Sequence, residues 1–251
     1  MSLMDETSLR IVATIEARMN STRLPGKVLM EAAGKPFLAH MVERLGRVRY
    51  LDGIVIATTT NVADNAIVAL AEELGVGCHR GSEDDVLARV LSAAKAHDVD
   101  VIVETTGDCP LIDPNLVDLC IKSYLESDVD YVSNVLDRTY PIGMDTQVFS
   151  TNVLDNIAKL TDDPDDREHV SLYIYRNPEI FKLKNLPAPP ELSWPELGLT
   201  LDTPDDLRVI SHVFEALYPL DPCFDLAKVL ELFHRDPSLA EINAHVHRKH
   251  I

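Results

Sequence analysis

Residues Arg10–Lys27 read RIVATIEARMNSTRLPGK. The first half is a β-branched, apolar run, Arg10 to Glu16, of strand length. The second half, Glu16 to Lys27, is polar and carries three cations, Arg18, Arg23 and Lys27, within ten residues. A strand that empties into such a loop is the opening unit of an open α/β sheet, where ligands bind beyond the carboxyl ends of strands. Arg18 and Arg23 can fork onto phosphate oxygens, and Lys27 adds a point charge. Gly26 lets the backbone approach a ligand closely. The loop is neither a P-loop nor a G-x-G-x-x-G turn, so those two nucleotide-binding folds are not indicated. A merely solvated basic loop is the competing reading.

Outward from this unit, apolar strand-like runs alternate with helical patterns, which predicts βα units and a mainly parallel sheet. Phe37, Leu38, Met41, Val42 and Leu45 have helical spacing. Gly53 to Thr58 reads as a strand, Asp64 to Leu74 as a helix closed by Gly75, and Gly77 to Arg80 as a short strand. Ser82 is the expected N-cap of a helix running to about His97. Val101 to Thr105 reads as a buried strand, followed by a helix capped by Asp113 and opened by Pro114. Tyr131 to Asn134 is strand-like, and Thr139 to Ser150 reads as a loop and an antiparallel strand. Asp162 to Asp166 is loop-like, Arg167 to Arg176 helical, and Leu186 to Pro195 irregular. A strand at Leu197 to Leu201 then enters a helix with Thr203 as N-cap, Pro204 at N1 and Asp206 at N3. The sheet core is expected over about residues 9 to 135 and 197 to 218, with an excursion between.

The chain has 251 residues, is 46% hydrophobic and carries a net charge of -18. That supports one sizeable core. So acidic a surface disfavours nucleic acid and anionic membranes as partners. It allows one small anionic ligand where cations are concentrated, as they are at Arg18, Arg23 and Lys27. No apolar run of about 18 residues suggests a membrane span, and no secretory leader pattern opens the chain. Met1 to Ser8 reads as a loose start. Cys78, Cys109, Cys120 and Cys223 form no C-x-x-C pair and no zinc-finger spacing, so they read as reduced structural residues of a cytoplasmic protein.

Asp108 and Asp202 each lie just past a predicted buried strand. Two carboxylates at the strand ends can hold a hard cation such as Mg²⁺ and leave coordination sites for phosphates; they can equally be a turn residue and a helix-entry residue. Arg167-Glu168-His169 opens a predicted helix, where Arg167 could hold a carboxylate and His169 could hydrogen-bond or transfer a proton. In the stretch Tyr140 to Gln147, Asp145 and Gln147 alternate onto one strand face and could meet a polyhydroxy ligand. Arg80 precedes the predicted helix start at Ser82, a place that favours an anion or an internal carboxylate. His245, His247 and His250 read as a solvated tail.

Five segments, in this order, resemble the cytidylyltransferase family that includes acylneuraminate and 3-deoxy-manno-octulosonate cytidylyltransferases, and most of all its spore-coat polysaccharide branch. They are Ala17–Leu29 (ARMNSTRLPGKVL), Arg80–Leu87 (RGSEDDVL), Thr106–Ile112 (TGDCPLI), Arg167–Val170 (REHV) and Leu201–Leu207 (LDTPDDL). The resemblance covers about residues 9 to 215; Thr146 and Gln147 depart from the family pattern, which leaves the acceptor open. It implies a Rossmann-like nucleotide-diphospho-sugar transferase fold with a small antiparallel subdomain. It implies one domain over 9–251, with an inserted acceptor and dimerisation subdomain at about 136–190, and a homodimer. It implies transfer of CMP from CTP to a sugar acceptor, with pyrophosphate released. Arg18, Arg23 and Lys27 would hold the triphosphate, within a nucleotide-binding set that adds Ala17, Ser21, Thr22, Arg80 and Asp108. Asp108 and Asp202 would hold Mg²⁺, and Asp145, Gln147, Arg167 and His169 would face the acceptor. Two alternatives stay open: a glycosyltransferase of the same fold using a nucleotide-sugar, and a non-catalytic nucleotide-binding relative.

Overall fold

The computed structural model describes residues 9–248; the expected loose start at Met1 to Ser8, and His250, lie outside the described residues. The chain runs β1 (Ile11–Glu16), β2 (Glu31–Ala32), β3 (Lys35–Pro36), α1 (Phe37–Leu45), β4 (Gly53–Thr59), α2 (Asn65–Leu74) and β5 (Gly77–Gly81). It continues with α3 (Val86–Ala96), β6 (Val101–Thr106), α4 (Pro114–Leu125), β7 (Tyr131–Ser133), β8 (Gln147–Ser150), α5 (Thr151–Ile157), α6 (Pro164–Glu168) and α7 (Leu172–Arg176). It closes with β9 (Leu183–Asn185), α8 (Pro204–Leu217), α9 (Leu226–Arg235) and α10 (Ser238–Glu241).

Seven strands form one sheet in the order β5-β4-β1-β6-β8-β7-β9. Every strand runs the same way except β8, which is antiparallel to both β6 and β7. β2 and β3 form a separate two-stranded antiparallel sheet. The sheet is mainly parallel, as the βα alternation predicts, and the architecture is Rossmann-like, as the family resemblance implies. The excursion after β7 returns to the same sheet, because it supplies both β8 and β9.

The period of two in the strands divides the core. Ile11, Ala13 and Ile15 of β1 face one layer, built with α1, α4, α8 and α9. Val12 of β1, Val55 of β4 and Ile102 of β6 face the other, built with α3, α5 and α7. A sheet covered on both faces needs apolar residues at nearly every position, which is why these strands read as continuous hydrophobic runs. Among the described residues no helix is long and apolar enough to cross a membrane. Cys109 and Cys120 are buried and all four cysteines are unbridged.

The local signals hold for most elements. α2 ends at Gly75 in the left-handed conformation, and α4 begins with Asp113 accepting from the Asn115 N–H and Pro114 in its first turn. α8 carries a complete capping box between Thr203 and Asp206. Four local expectations change. The cap of α3 is Asp85, whose side chain accepts from the Ala88 N–H, while Ser82 Oγ accepts from the Asp85 N–H one turn earlier. The expected loop at Asp162 to Asp166 already contains the start of α6, with Asp163 as cap and Pro164 in its first turn. The expected helix over Arg167 to Arg176 breaks between Glu168 and Leu172, where His169 and Ser171 leave helical geometry. Leu197 to Leu201 is extended but joins no sheet. Its backbone bonds go to Ile142, Asp108, Trp194 and the Asn243 side chain, and one isolated bridge pairs Ile142 with Gly198. β9 and the β2–β3 hairpin carry no clear sequence signal: at two or three residues each, they are too short to show a period.

Candidate functional site

Three chain segments meet at the carboxyl ends of β1 and β6. The Gly107 N–H donates to the Glu16 carbonyl at 2.9 Å, which carries the end of β6 against the end of β1. A Cβ on Gly107 would lie 3.1 Å from both the Glu16 carbonyl oxygen and Ala17 Cβ, so this approach favours glycine. The Leu201 N–H donates to the Asp108 carbonyl at 2.8 Å and so brings the segment before α8 alongside. The loop after β1 folds back on itself. The Gly26 N–H reaches the Met19 carbonyl at 2.9 Å, and the Met19 N–H is held by buried Asp64 at 2.8 Å. Asp64 also accepts from the Thr59 N–H at 3.1 Å, which ties the loop to the end of β4.

This folding drives the Lys27 side chain inward. Its Nζ lies 2.9 Å from Asp108 Oδ2 and 2.9 Å from Asp202 Oδ1. Arg23 reaches the same Asp202 oxygen at 2.9 Å. Thr106 Oγ1 donates to the other Asp108 oxygen at 2.6 Å. Burial works against the Lys27 charge, but the two carboxylates outweigh it and hold its pKa above the ordinary value. Burial likewise opposes ionisation of Asp108; Lys27 and the Thr106 hydroxyl overcome it and hold that carboxyl below its ordinary range. Lys27 and Asp108 are therefore both ionised at neutral pH.

Arg23, Lys27, Asp108 and Asp202 thus come together across the chain, with Lys27 and Asp202 175 residues apart in sequence. Other expected residues sit elsewhere. Ala17 is buried beneath the loop. Arg18 is 41% exposed and pairs with Glu83 at 3.5 Å. Ser21 Oγ accepts from the Leu24 N–H at 3.4 Å, and Thr22 is exposed. Arg80 is engaged by its own chain: it donates to the Thr59 and Asn61 carbonyls at 2.9 and 2.7 Å and to Asn65 Oδ1 at 2.8 Å. It braces the turn between β4 and α2. Arg167 donates to the Thr161 and Ala158 carbonyls at 3.1 and 2.8 Å and lies 3.4 Å from Asp85, the cap of α3. Asp145 is held bidentately by Arg138 at 2.6 and 2.8 Å. His169 sits at the break between α6 and α7, where its carbonyl accepts from the Leu172 N–H at 2.7 Å.

Gln147 opens β8 opposite Glu104. Its Oε1 accepts from Tyr131 Oη at 2.8 Å and from Ser171 Oγ at 2.5 Å. Glu104 is buried, and its pKa is pushed up to about 7 by burial, with Ser171 pulling weakly the other way. Glu16, on the same sheet face by register, is raised by burial and by Glu104, with Arg89 of α3 opposing. Sequence reasoning does not single out Arg138, Thr106, Asp64 or Ser171. A charge inside an apolar strand-like run, as at Glu104, is the signal that was available.

The donor set at Asp108 and Asp202 suits a hard divalent cation. Two carboxylate oxygens already converge on one cationic group, the Lys27 ammonium, and hard cations take such oxygen ligands. Among the described residues no three His, Cys, Asp or Glu side chains converge on a point, so a metal here would complete its shell with substrate oxygens and water.

Residues 12–214 match the profile of a family described as Cytidylyltransferase. An uncharacterised protein of Methanocaldococcus jannaschii is 35% identical over 241 residues, 96% of this chain and 97% of that one. The spore coat polysaccharide biosynthesis protein SpsF of Bacillus subtilis is 32% identical over 237 residues, 92% of this chain and 96% of that one. Among solved structures, a cytidylyltransferase from Leptospira borgpetersenii superposes with a TM-score of 0.87 at 31% identity, covering 96% of this chain and 100% of its own.

Proposed function

The chain belongs to the cytidylyltransferase family, and on that footing we propose that it activates an acidic or modified sugar for a surface polysaccharide by transferring CMP from CTP in the cytoplasm. The observation that carries this reading is the single ammonium of Lys27 held at 2.9 Å by both Asp108 and Asp202, with Arg23 on the same Asp202 oxygen. Pairing of this kind concentrates positive charge on the loop side of an otherwise acidic protein, where a triphosphate can displace carboxylates as the partner of Arg23 and Lys27.

An acceptor hydroxyl oxygen forms a bond to the α-phosphorus. The bond from that phosphorus to the bridging oxygen of the β-phosphate breaks, pyrophosphate departs and the hydroxyl proton passes to solvent. Arg18, Arg23 and Lys27 hold the phosphates that leave, and no covalent nucleophile is needed, since positioning and charge stabilisation carry such transfers. Asp108 and Asp202 would hold Mg²⁺, which when bound offsets charge on the phosphates. The acceptor is read to lie toward Asp145, Gln147, Arg167 and His169. The reading includes a homodimer joined through residues 136–190, a stretch that exposes the apolar side chains of Leu160 and Ile180.

The test is pyrophosphate release with Mg²⁺, each of the four nucleoside triphosphates, and a panel of sugar acids and sugar phosphates. Release with CTP and one acceptor class is the expected result. Silence with every triphosphate, together with turnover of a nucleotide-sugar, would make the protein a glycosyltransferase. Nucleotide binding without product would make it a non-catalytic relative.

A further inference from the structure

Asp206 is a fully buried carboxylate, 0% exposed. One of its oxygens, Oδ2, serves the start of α8. It accepts from the Asp202 N–H at 3.2 Å, the Thr203 N–H at 2.9 Å and the Thr203 hydroxyl at 2.8 Å. The other, Oδ1, faces the segment after α10. There it accepts from Asn243 Nδ2 at 2.7 Å and from a guanidinium nitrogen of Arg248 at 2.6 Å. The Arg248 side chain is only 9% exposed.

The same segment grips the strand-like stretch that leads to Asp202. Asn243 Nδ2 donates to the Gly198 carbonyl at 3.0 Å, and Arg248 Nε lies 3.3 Å from Thr200 Oγ1. The guanidinium rests directly on Gly198: a Cβ there would fall 1.9 Å from its central carbon. Residues 198, 200, 202 and 206 are thus held by a single clamp. The clamp lies beyond the residues 12–214 that match the family profile.

We propose that Arg248 is a positioning residue for Asp202: through Asp206 it fixes the backbone from which the Asp202 carboxylate reaches Lys27 and Arg23. This rests on the reading of Asp202 as part of the transfer site. The physical reason is the cost of an uncompensated charge. Without the guanidinium, the Asp206 carboxylate stays in the interior with neutral donors only. It then moves toward water, and that shift weakens its hold on the Asp202 N–H. A small displacement of a charge-bearing group is enough to slow a reaction that depends on alignment.

The experiment compares wild type, Arg248→Gln and Arg248→Lys by amide hydrogen exchange without substrate and by steady-state pyrophosphate release. In Arg248→Gln the Asp202 and Thr203 amides should exchange about tenfold faster or more, while β1 and β6 keep their protection. Its kcat should fall about tenfold or more, with the nucleotide KM within about twofold. Arg248→Lys should recover part of both. Wild-type protection at Asp202 and Thr203 in Arg248→Gln, or lost protection there with unchanged kcat, overturns the proposal. If Arg248→Gln loses protection throughout the sheet, Arg248→Lys decides: local loss at 202–203 with lowered kcat supports positioning, and loss across the sheet shows a merely structural role. Near-normal turnover by Asp202→Asn would defeat the site reading itself; that outcome is separable because the exchange measurement involves no substrate.

Discussion

Between Asp108 and Asp202 the Lys27 ammonium keeps together two carboxylates that would otherwise repel. Lys27→Gln should lower pyrophosphate release by about a hundredfold or more and cost on the order of 1–3 kcal/mol of stability, since it leaves two partly buried carboxylates without their shared cation. Turnover and thermal melting check both; a fully active variant would remove Lys27 from the machinery. The pH behaviour follows from the directions of shift. The raised Lys27 pKa gives stability that is complete below the ordinary amine value and is lost as pH rises through the folded value. The depressed Asp108 pKa gives stability present above the ordinary carboxylate value and lost as pH falls through the folded one. Neither titrates near neutrality. Glu104 does: burial lifts it to about 7, so its cost is absent at low pH, grows from the ordinary carboxylate value and is complete above the folded one. Glu104→Gln should therefore gain stability relative to wild type between pH 5 and pH 8, by up to about 3 kcal/mol. Denaturant unfolding at the two pH values measures this, and a constant difference would contradict it.

Elements with a local chemical cause were legible in the sequence. Thr203-Pro204-Asp205-Asp206 and Asp113-Pro114 start helices because their side chains satisfy the first free N–H groups. Thr203→Ala should cost about 1–2 kcal/mol, read as a lower melting temperature; an unchanged melt would mean that the capping box is not the anchor. Of the elements that differed, α6 has an Asp163-Pro164 start of the same kind, but two others lack such a cause. Leu197, Leu199 and Leu201 are buried at a spacing of two, which is strand periodicity. Their backbone partners are loops, though, and no periodicity reveals which neighbour a backbone finds. The break at His169 separates two five-residue helices, too short for a helical period to outline. Gly143 shows what holds the extended stretch in place. It has φ +101°, and a Cβ there would lie 2.7 Å from the Leu199 carbonyl carbon and oxygen. Gly143→Ala should cost about 2 kcal/mol or more, because both the backbone conformation and the contact resist a side chain. A wild-type melting temperature would refute that packing.

On the scale of the whole molecule, the sheet brings the chemistry to one end. The rule that ligands sit beyond strand carboxyl ends placed the first loop, Asp108 and Asp202 on a common edge in sequence terms, and the structure joins Arg23, Lys27, Asp108 and Asp202 there. It was not legible that Lys27 would bridge both aspartates, since that depends on the loop folding back through Met19 and Asp64. Nor was it legible that Arg80 and Arg167 would be engaged by backbone carbonyls, because an arginine reads alike in sequence whether it faces a ligand or a turn. The net charge of -18 gives a local concentration of cations its weight for an anionic ligand. The most direct test is the kcat of Asp108→Asn for pyrophosphate release at saturating CTP, with circular dichroism confirming the fold. A fall of about a hundredfold or more in a folded protein is predicted. Near-wild-type turnover would contradict the assignment of this carboxylate–lysine centre as the seat of nucleotidyl transfer.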